Sequence, residues 1–278
     1  MQQQDPLKFY EIMNYPVPTQ KEFFYYKKKV AMLPSPNKEK FSRNTKSKTM
    51  QEYIEYIKKY NRLYRSLPFV EQVFLCNSLT FNAVNNNSDI DLFFICKSGA
   101  IRRARFFSVL FFTLLNLKRG KKNSTKKFCL TFYITKDNQR LSDIKIKNEI
   151  YLPYWIQHLI LLYNNENNNN NKNKQKRNNF FKHNQRVEEY LPNYQAQQLI
   201  NINISTQTQA SIIKRIMEII FNGKIGILLE KTIKSIWKPL VIRKKEQLKQ
   251  GKKYIIIEEN MLKFYLDKRE DISEKFYR

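Results

Sequence analysis

The chain has 278 residues, which is enough for one large domain or two small ones with a proper buried core. It carries 51 Lys and Arg against 24 Asp and Glu, and a formal net charge of +27 is typical of proteins that meet nucleic acid or another polyanion. Lys, Asn, Ile, Phe and Tyr dominate, while Gly occurs only five times. This composition also fits codon drift in an AT-rich genome, so the charge alone does not establish a polyanionic partner.

The cysteines and the hydropathy pattern indicate a cytoplasmic protein. Cys76, Cys96 and Cys129 lie in apolar, strand-like contexts without a C-x-x-C pair, and only two histidines are present. This argues against a zinc site and a disulfide scaffold, and favours a reducing compartment. The start of the chain lacks the features of a secretion signal. The longest apolar run, 106–117, is shorter than the roughly 20 residues that span a bilayer.

In chain order, the pattern predicts three regions. Residues 1–45 are aromatic, Lys-rich and interrupted by prolines, so we expect an irregular segment. Residues 46–148 predict an α/β core, and residues 149–278 predict a mainly helical C-terminal region. The Asn-rich stretch 164–179 is a low-complexity insertion that we expect to be a disordered surface loop.

Periodicity gives the individual elements. Helical spacing, or a long apolar run, predicts helices, whereas short runs rich in β-branched and aromatic residues predict strands. The expected helices are 46–66, 101–117, 149–163, 180–191, 209–237 with interrupting glycines, and 259–277; the expected strands are 69–76, 89–96 and 128–134, with a short β-like run at 254–257.

The most informative motif is a pair of aspartates at the start of a predicted strand. Asp89 and Asp91 are two residues apart, so period-two geometry places both carboxylates on one face. Two neighbouring acids repel each other unless a cation neutralises them. Asn77 and Ser78 form a small polar turn at the end of the preceding strand, and the backbone N–H groups and hydroxyl of such a turn suit a phosphate. The motif therefore predicts a site for a nucleoside triphosphate and Mg²⁺ or Mn²⁺.

These residues resemble the signature of the polymerase-β-like nucleotidyltransferase superfamily. That signature is a hydrophobic residue, Gly, then Gly or Ser, a spacer, and Asp-h-Asp-h, where h is hydrophobic. Here Asn77-Ser78 is followed by ten residues and then Asp89-Ile90-Asp91-Leu92. The resemblance implies an α/β (α+β) core with a small mixed sheet. It also implies transfer of a nucleoside monophosphate from an NTP to an acceptor hydroxyl, with Asp89 and Asp91 as catalytic metal ligands and Asn77 and Ser78 binding the nucleotide.

Outside this core, the chain resembles an uncharacterised bacterial group of nucleotidyltransferase-domain proteins. The resemblance is collinear but patchy, and each matching segment is short. The segments are Tyr15–Thr19, Cys129–Ile134, Ile150–Trp155, Leu191–Tyr194 and Leu262–Tyr265.

Three departures from the superfamily pattern bear on activity. Asn77 replaces the glycine that lets the backbone approach the phosphates. The strand 128–134 carries no Asp or Glu for the usual third carboxylate, so Asp137 and Asp143, just beyond it, are the candidates. The winged-helix-like segment that usually leads the core is shortened to 1–45. The alternative interpretation is therefore a catalytically degenerate nucleotidyltransferase fold that binds nucleic acid or a protein.

Two basic segments and one apolar helix have alternative interpretations. Arg102, Arg103 and Arg105 could contact phosphates, although a solvated helix start is the commoner role. The basic loop 118–127 could contact a nucleic-acid backbone or simply be exposed. The apolar helix 106–117 could lie on a membrane surface, but it has no polar face, which favours burial against the sheet instead.

Overall fold

A computed structural model describes residues 6–13, 15, 48–120, 123–147, 149–165, 179–184, 209–247, 255–264 and 268–278. These residues form a six-stranded mixed sheet between two layers of helices, so the predicted α/β class with helical flanks is confirmed. Most of the predicted N-terminal segment, nearly all of the Asn-rich insertion and the end of the helix predicted at 180–191 lie outside the described residues.

The sheet has the strand order β4-β1-β2-β3-β6-β5. β2 and β3 are parallel, and every other neighbouring pair is antiparallel. The strands are β1 (Val70–Cys76), β2 (Ile90–Cys96), β3 (Phe128–Thr135), β4 (Ile160–Asn164), β5 (Ile256–Ile257) and β6 (Met261–Lys263).

Helices cover both faces of the sheet. In the described residues they are α1 (Pro6–Met13), α2 (Lys48–Lys59), α3 (Asn61–Tyr64), α4 (Ile101–Leu114), α5 (Tyr151–Gln157), α6 (Asn179–His183), α7 (Ile212–Ile220), α8 (Gly223–Gln247) and α9 (Arg269–Tyr277). The core on one face joins α2, α4, α7 and α8 to the sheet, and the core on the other face joins α1, α5, α6 and α9 to it.

The central strands are apolar on both faces because both faces are covered. Along β2, Leu92 and Phe94 point into the core beneath α4, whereas Phe93 and Ile95 point into the core beneath α5. Asp91 belongs to the same alternating set as Phe93 and Ile95, so it faces the α5 side of the sheet. Side-chain alternation therefore decides which helices surround the aspartate pair.

Two predicted helices are partly strands. The helix predicted over 149–163 ends at Gln157, and Ile160–Asn164 pairs with β1 as an edge strand. The helix predicted over 259–277 begins only at Arg269, because Met261–Lys263 pairs with β3. In both cases hydrogen bonds to a strand distant in sequence override the local helical pattern.

The helix predicted at 209–237 is broken into two helices. The first of them buries its polar side and exposes its apolar side. The predicted helix divides into α7 and α8 at Gly223, which has a φ of +56° that favours glycine. In α7 the polar side is buried: the ammonium of Lys214 donates to the Val70 carbonyl and to the Tyr163 hydroxyl. Glu218 accepts from the Phe69 N–H at 2.7 Å. The isoleucines of α7 are exposed as a result: Ile212, Ile213, Ile216, Ile219 and Ile220.

The arginines at the start of α4 are structural, so the solvated helix start expected for them is wrong for Arg102 and Arg103, whose guanidinium groups pair with carboxylates and not with solvent or phosphate. Arg102 and Arg103 are buried, and both pair with Glu230 of α8. The same carboxylate accepts the backbone N–H groups of Arg102 and Arg103 at 2.8 and 3.0 Å, so it also caps α4. Arg105 stacks on the rings of Trp237 and Phe264. These guanidinium groups hold α8 against α4.

The helix layer over the aspartate side of the sheet is fixed by a buried carboxylate. Glu149 accepts the N–H groups of Tyr151 and Leu152 and so caps α5. It also pairs with Arg269 of α9 at 2.7 Å. This network orients α5, which carries Trp155 towards the end of β1.

The apolar segment 106–117 is half buried. Phe107 and Phe112 lie in the core, as predicted, while Phe106 and Leu114 are exposed. Among the described residues, no helix combines the length and the apolar character that crossing a bilayer requires.

We expect Glu230→Gln to lower the free energy of unfolding by about 2–4 kcal/mol, because the buried Arg103 would lose its carboxylate and Arg102 would keep only that of Glu259. Urea denaturation followed by circular dichroism measures this. The matched control is Glu55→Gln, which breaks an exposed ion pair with Lys58 and should cost less than about 0.5 kcal/mol. Equal losses in the two variants would contradict the structural role of Glu230.

Candidate metal and nucleotide site

The strand order brings three titratable side chains together at one end of the central strands. Asp91 is the register partner of Cys76 at the end of β1 and of Cys129 at the start of β3. Asp89 lies just before β2. Ligand atoms of Asp89, Asp91 and Cys129 all lie within 4.8 Å of one another. The two carboxylates therefore lie side by side, as their spacing predicts.

The environment of Asp91 is unfavourable for a negative charge. Burial, followed by the charge of Asp89, raises the pKa of Asp91 to about 6. Hydrogen bonds from Asn77 and Cys129 and the charge of Arg119 act in the opposite direction, but they do not offset the desolvation. A carboxylate kept in such a place gains from a nearby cation, which would lower its pKa again.

Asn77 adopts the backbone conformation that the superfamily glycine would supply. Its φ is +60°, in the left-handed region that Asn tolerates better than most residues. Its side-chain oxygen accepts from Trp155 Nε1 at 2.8 Å, which leaves the amide nitrogen to donate to Asp91. The departure at this position thus preserves the turn and adds a hydrogen bond to the aspartate pair.

Ser78 follows Asn77 in a single 3₁₀ turn, Asn77–Leu79. The turn is closed by the Thr80 and Phe81 N–H groups, which donate to the Asn77 carbonyl at 2.9 and 3.0 Å. Because β1 ends here and Asp91 pairs with Cys76, Ser78 lies at the same sheet edge as the carboxylates. The turn therefore lies beside the aspartate pair.

The basic loop before β3 supplies a cation to the site. Arg119 Nη1 lies 2.6 Å from Asp89 Oδ2, and the guanidinium also donates to Cys129. Two other cations of the loop are bound elsewhere: Lys126 pairs with Glu52 at 3.0 Å, and Lys127 donates to the Asn116 carbonyl. Lys121 and Lys122 lie outside the described residues.

The structure does not bring Asp137 or Asp143 to the aspartate pair. Asp137 follows the far end of β3, where Thr135 and Ser98 donate to its carboxylate and lower its pKa. Since β2 and β3 are parallel, this end is roughly 20 Å from their beginnings. Asp143 is exposed in a 3₁₀ turn beyond it and bonds to Ser142. A thiol, Cys129, lies beside Asp91 where a third carboxylate was sought.

Aromatic side chains form the wall of the site next to the aspartates. Tyr15 packs on Phe81 with 4.7 Å between ring centroids, and hydrogen-bonds to Tyr151. Burial, together with the nearby charge of Asp91, raises the pKa of Tyr15, so its hydroxyl stays neutral. Tyr154 of α5 contacts the Phe81 ring at 5.0 Å. Of these rings, Tyr15 lies near enough to Asp91 for the charge of the carboxylate to act on its hydroxyl.

Sequence reasoning missed Cys129, Arg119 and Trp155 as site residues. Cys129 was recognised only as a strand residue, and Arg119 only as part of a basic loop. The parallel pairing of β2 with β3 brings both beside Asp89, and no local pattern encodes that pairing. No local signal could have found Arg119, which stands nine residues before β3 and is brought there because Lys118 pairs with Phe128.

The donor set fits a magnesium or manganese ion held by two carboxylates. Such ions take oxygen ligands and keep several waters, so Asp89 and Asp91 with a substrate phosphate would be sufficient. Cys129 does not fit this role, because burial raises the pKa of its thiol, and a neutral thiol is a poor ligand for a hard cation. Asp89 and Asp91 are therefore the residues that would hold the ion.

Comparison with known proteins gives no family for this chain. No protein-family model, no curated protein and no solved structure matches it.

We expect Asp91→Asn to raise the free energy of unfolding by about 3 kcal/mol at pH 8 and by less than about 1 kcal/mol at pH 4. The pKa of Asp91 in the folded protein, about 6, is above its ordinary value of 3.8, so the folded state holds this proton more tightly. Ionisation therefore costs stability as the pH rises through this interval, and Asn removes that cost. Urea denaturation at both pH values measures it.

The control for this measurement is Asp143→Asn, which removes an exposed carboxylate in a different part of the fold. We expect its stability to stay within about 0.5 kcal/mol of the natural protein. A stability gain in Asp91→Asn that is the same at pH 4 and pH 8 would contradict the raised pKa.

We expect Asn77→Gly to be more stable than Asn77→Ala by about 1 kcal/mol, although both lose the side-chain hydrogen bonds. Alanine at a φ of +60° carries steric strain that glycine does not. Thermal unfolding of the two variants under the same conditions provides the comparison. Equal melting temperatures would show that the left-handed turn is not maintained.

Proposed function

We propose that the protein is a Mg²⁺- or Mn²⁺-dependent nucleotidyltransferase of the polymerase-β-like class. One observation carries the proposal: two half-buried aspartates stand beside a polar turn, where β1 ends and β2 begins. Two neighbouring carboxylates in a poorly solvated place are costly unless a cation compensates them. The order strand, turn, strand with paired aspartates also agrees with the superfamily signature.

The reaction would be a transfer to an acceptor hydroxyl. The hydroxyl oxygen attacks the α-phosphorus of a nucleoside triphosphate, the bond between the α- and β-phosphates breaks, pyrophosphate leaves, and the hydroxyl proton passes to water. Asp89 and Asp91 would hold a metal ion, and that ion would supply positive charge to offset the charge building up on the phosphate oxygens. The turn at Asn77 and Ser78 positions the phosphates.

The main rival is a degenerate nucleotidyltransferase fold that binds nucleic acid or a protein without catalysis. A specific observation favours it: the third titratable group is the thiol of Cys129, not a carboxylate. The net charge of +27 is compatible with a polyanionic ligand. This rival predicts salt-sensitive binding to polyanions and no NTP affinity linked to a divalent metal.

Calorimetry with an NTP, in the presence and absence of Mg²⁺, tests the proposal on the full chain. We expect metal-dependent binding and transfer in the natural protein, and both to be abolished by Asp89→Ala and by Asp91→Ala while circular dichroism shows an intact fold. Asp137→Ala is the matched control, because it removes an acid at the opposite end of the sheet. Undiminished turnover in either site variant would refute the assignment.

A further inference from the structure

We propose that Arg119 is the triphosphate-binding residue of this site and that, before nucleotide binds, it occupies Asp89 in place of the metal. The inference rests on the proposed function and adds to it a residue and an order of events. When the metal arrives, Asp89 exchanges the guanidinium for the ion, and the released guanidinium binds the phosphates. No covalent bond changes in this exchange.

The position of Arg119 supports the exchange. Its Nη1 lies 2.6 Å from Asp89 Oδ2, which is the distance of a strong charge-assisted hydrogen bond. The Arg119 side chain is 49% exposed, whereas that of Asp89 is 19% exposed. The guanidinium can therefore turn away into solvent while Asp89 stays in the site.

The backbone of Arg119 is anchored even though its side chain is exposed. Its N–H donates to the Phe128 carbonyl at 2.9 Å, and the Phe128 N–H donates to the Leu117 carbonyl at 2.8 Å. These bonds hold the segment beside the start of β3, next to Cys129 and Asp91. Because the Cα position is fixed, the guanidinium stays within reach of any ligand bound to the aspartate pair.

The chemistry of the guanidinium suits a triphosphate. Its planar set of N–H donors matches phosphate oxygens in a bidentate geometry, and it is charged at every physiological pH. Arg102 and Arg103 cannot take this role, since they are buried against Glu230 at the start of α4, which follows the far end of β2. Lys126 is held by Glu52 on α2, although it belongs to the same loop as Arg119.

The exchange predicts effects of opposite sign for metal and for nucleotide. Without nucleotide, Arg119 competes with the metal for Asp89, so removing its charge should strengthen metal binding. With nucleotide present, Arg119 contacts the phosphates, so removing it should weaken nucleotide binding. A residue with a purely structural role would not shift the two affinities in opposite directions.

The test uses Arg119→Gln in the full chain, with Mn²⁺ as the probe. We expect Mn²⁺ alone to bind about 3–10-fold more tightly than to the natural protein, measured as the loss of the free-ion electron paramagnetic resonance signal. We expect a non-hydrolysable NTP analogue with saturating Mn²⁺ to bind about 10-fold more weakly, measured by calorimetry. Arg119→Lys, which keeps the charge but loses the bidentate geometry, should fall between the two proteins in both measurements.

The matched control is Lys126→Gln, which removes one positive charge from the same loop and contacts neither aspartate. We expect it to leave both affinities within about twofold of the natural protein. Unchanged or weaker Mn²⁺ binding by Arg119→Gln, or unchanged analogue binding, would overturn the role of Arg119 while leaving the metal site in place. If the natural protein binds neither Mn²⁺ nor the analogue, the proposed function itself fails, and this inference fails with it.

Discussion

Asp91 lies between two neighbouring strands, paired with Cys76 on one side and with Cys129 on the other. This position removes its carboxylate from water and puts it beside Asp89, and the organisation of the site follows from the resulting cost. The amide of Asn77, the thiol of Cys129 and the guanidinium of Arg119 all compensate part of the negative charge. A metal ion bound by the pair would compensate the rest.

The two helix layers are held to the sheet by different carboxylates. On one face, Glu230 ties α8 to the start of α4 through buried arginines, so a cluster that looks like a phosphate-binding motif is used for stability. On the other face, Glu149 fixes α5, and α5 presents Trp155 to Asn77. Asn77, in the turn after β1, is thus bonded both to Trp155 of α5 and to Asp91 of β2.

The central elements could be predicted because their patterns are local. The strands expected at 69–76, 89–96 and 128–134 match β1, β2 and β3 within about a residue at most ends. β4 and β6 could not be predicted, since Leu161 pairs with Phe74 and Leu262 with Tyr133, far away in sequence. The burial of the polar side of α7 could not be predicted either, because a strongly amphipathic helix normally buries its apolar side.

By itself, the sequence determined that Asp89 and Asp91 share a face, since alternation along a strand depends only on spacing. It also placed a small polar turn before them. Only the tertiary structure decided what else meets them, because Cys129 and Arg119 reach the aspartates through the parallel pairing of β2 with β3. The same pairing carries Asp137 to the opposite end of the sheet. Spacing along one strand can be read from the sequence, whereas the choice of which strands pair depends on how the whole sheet is buried.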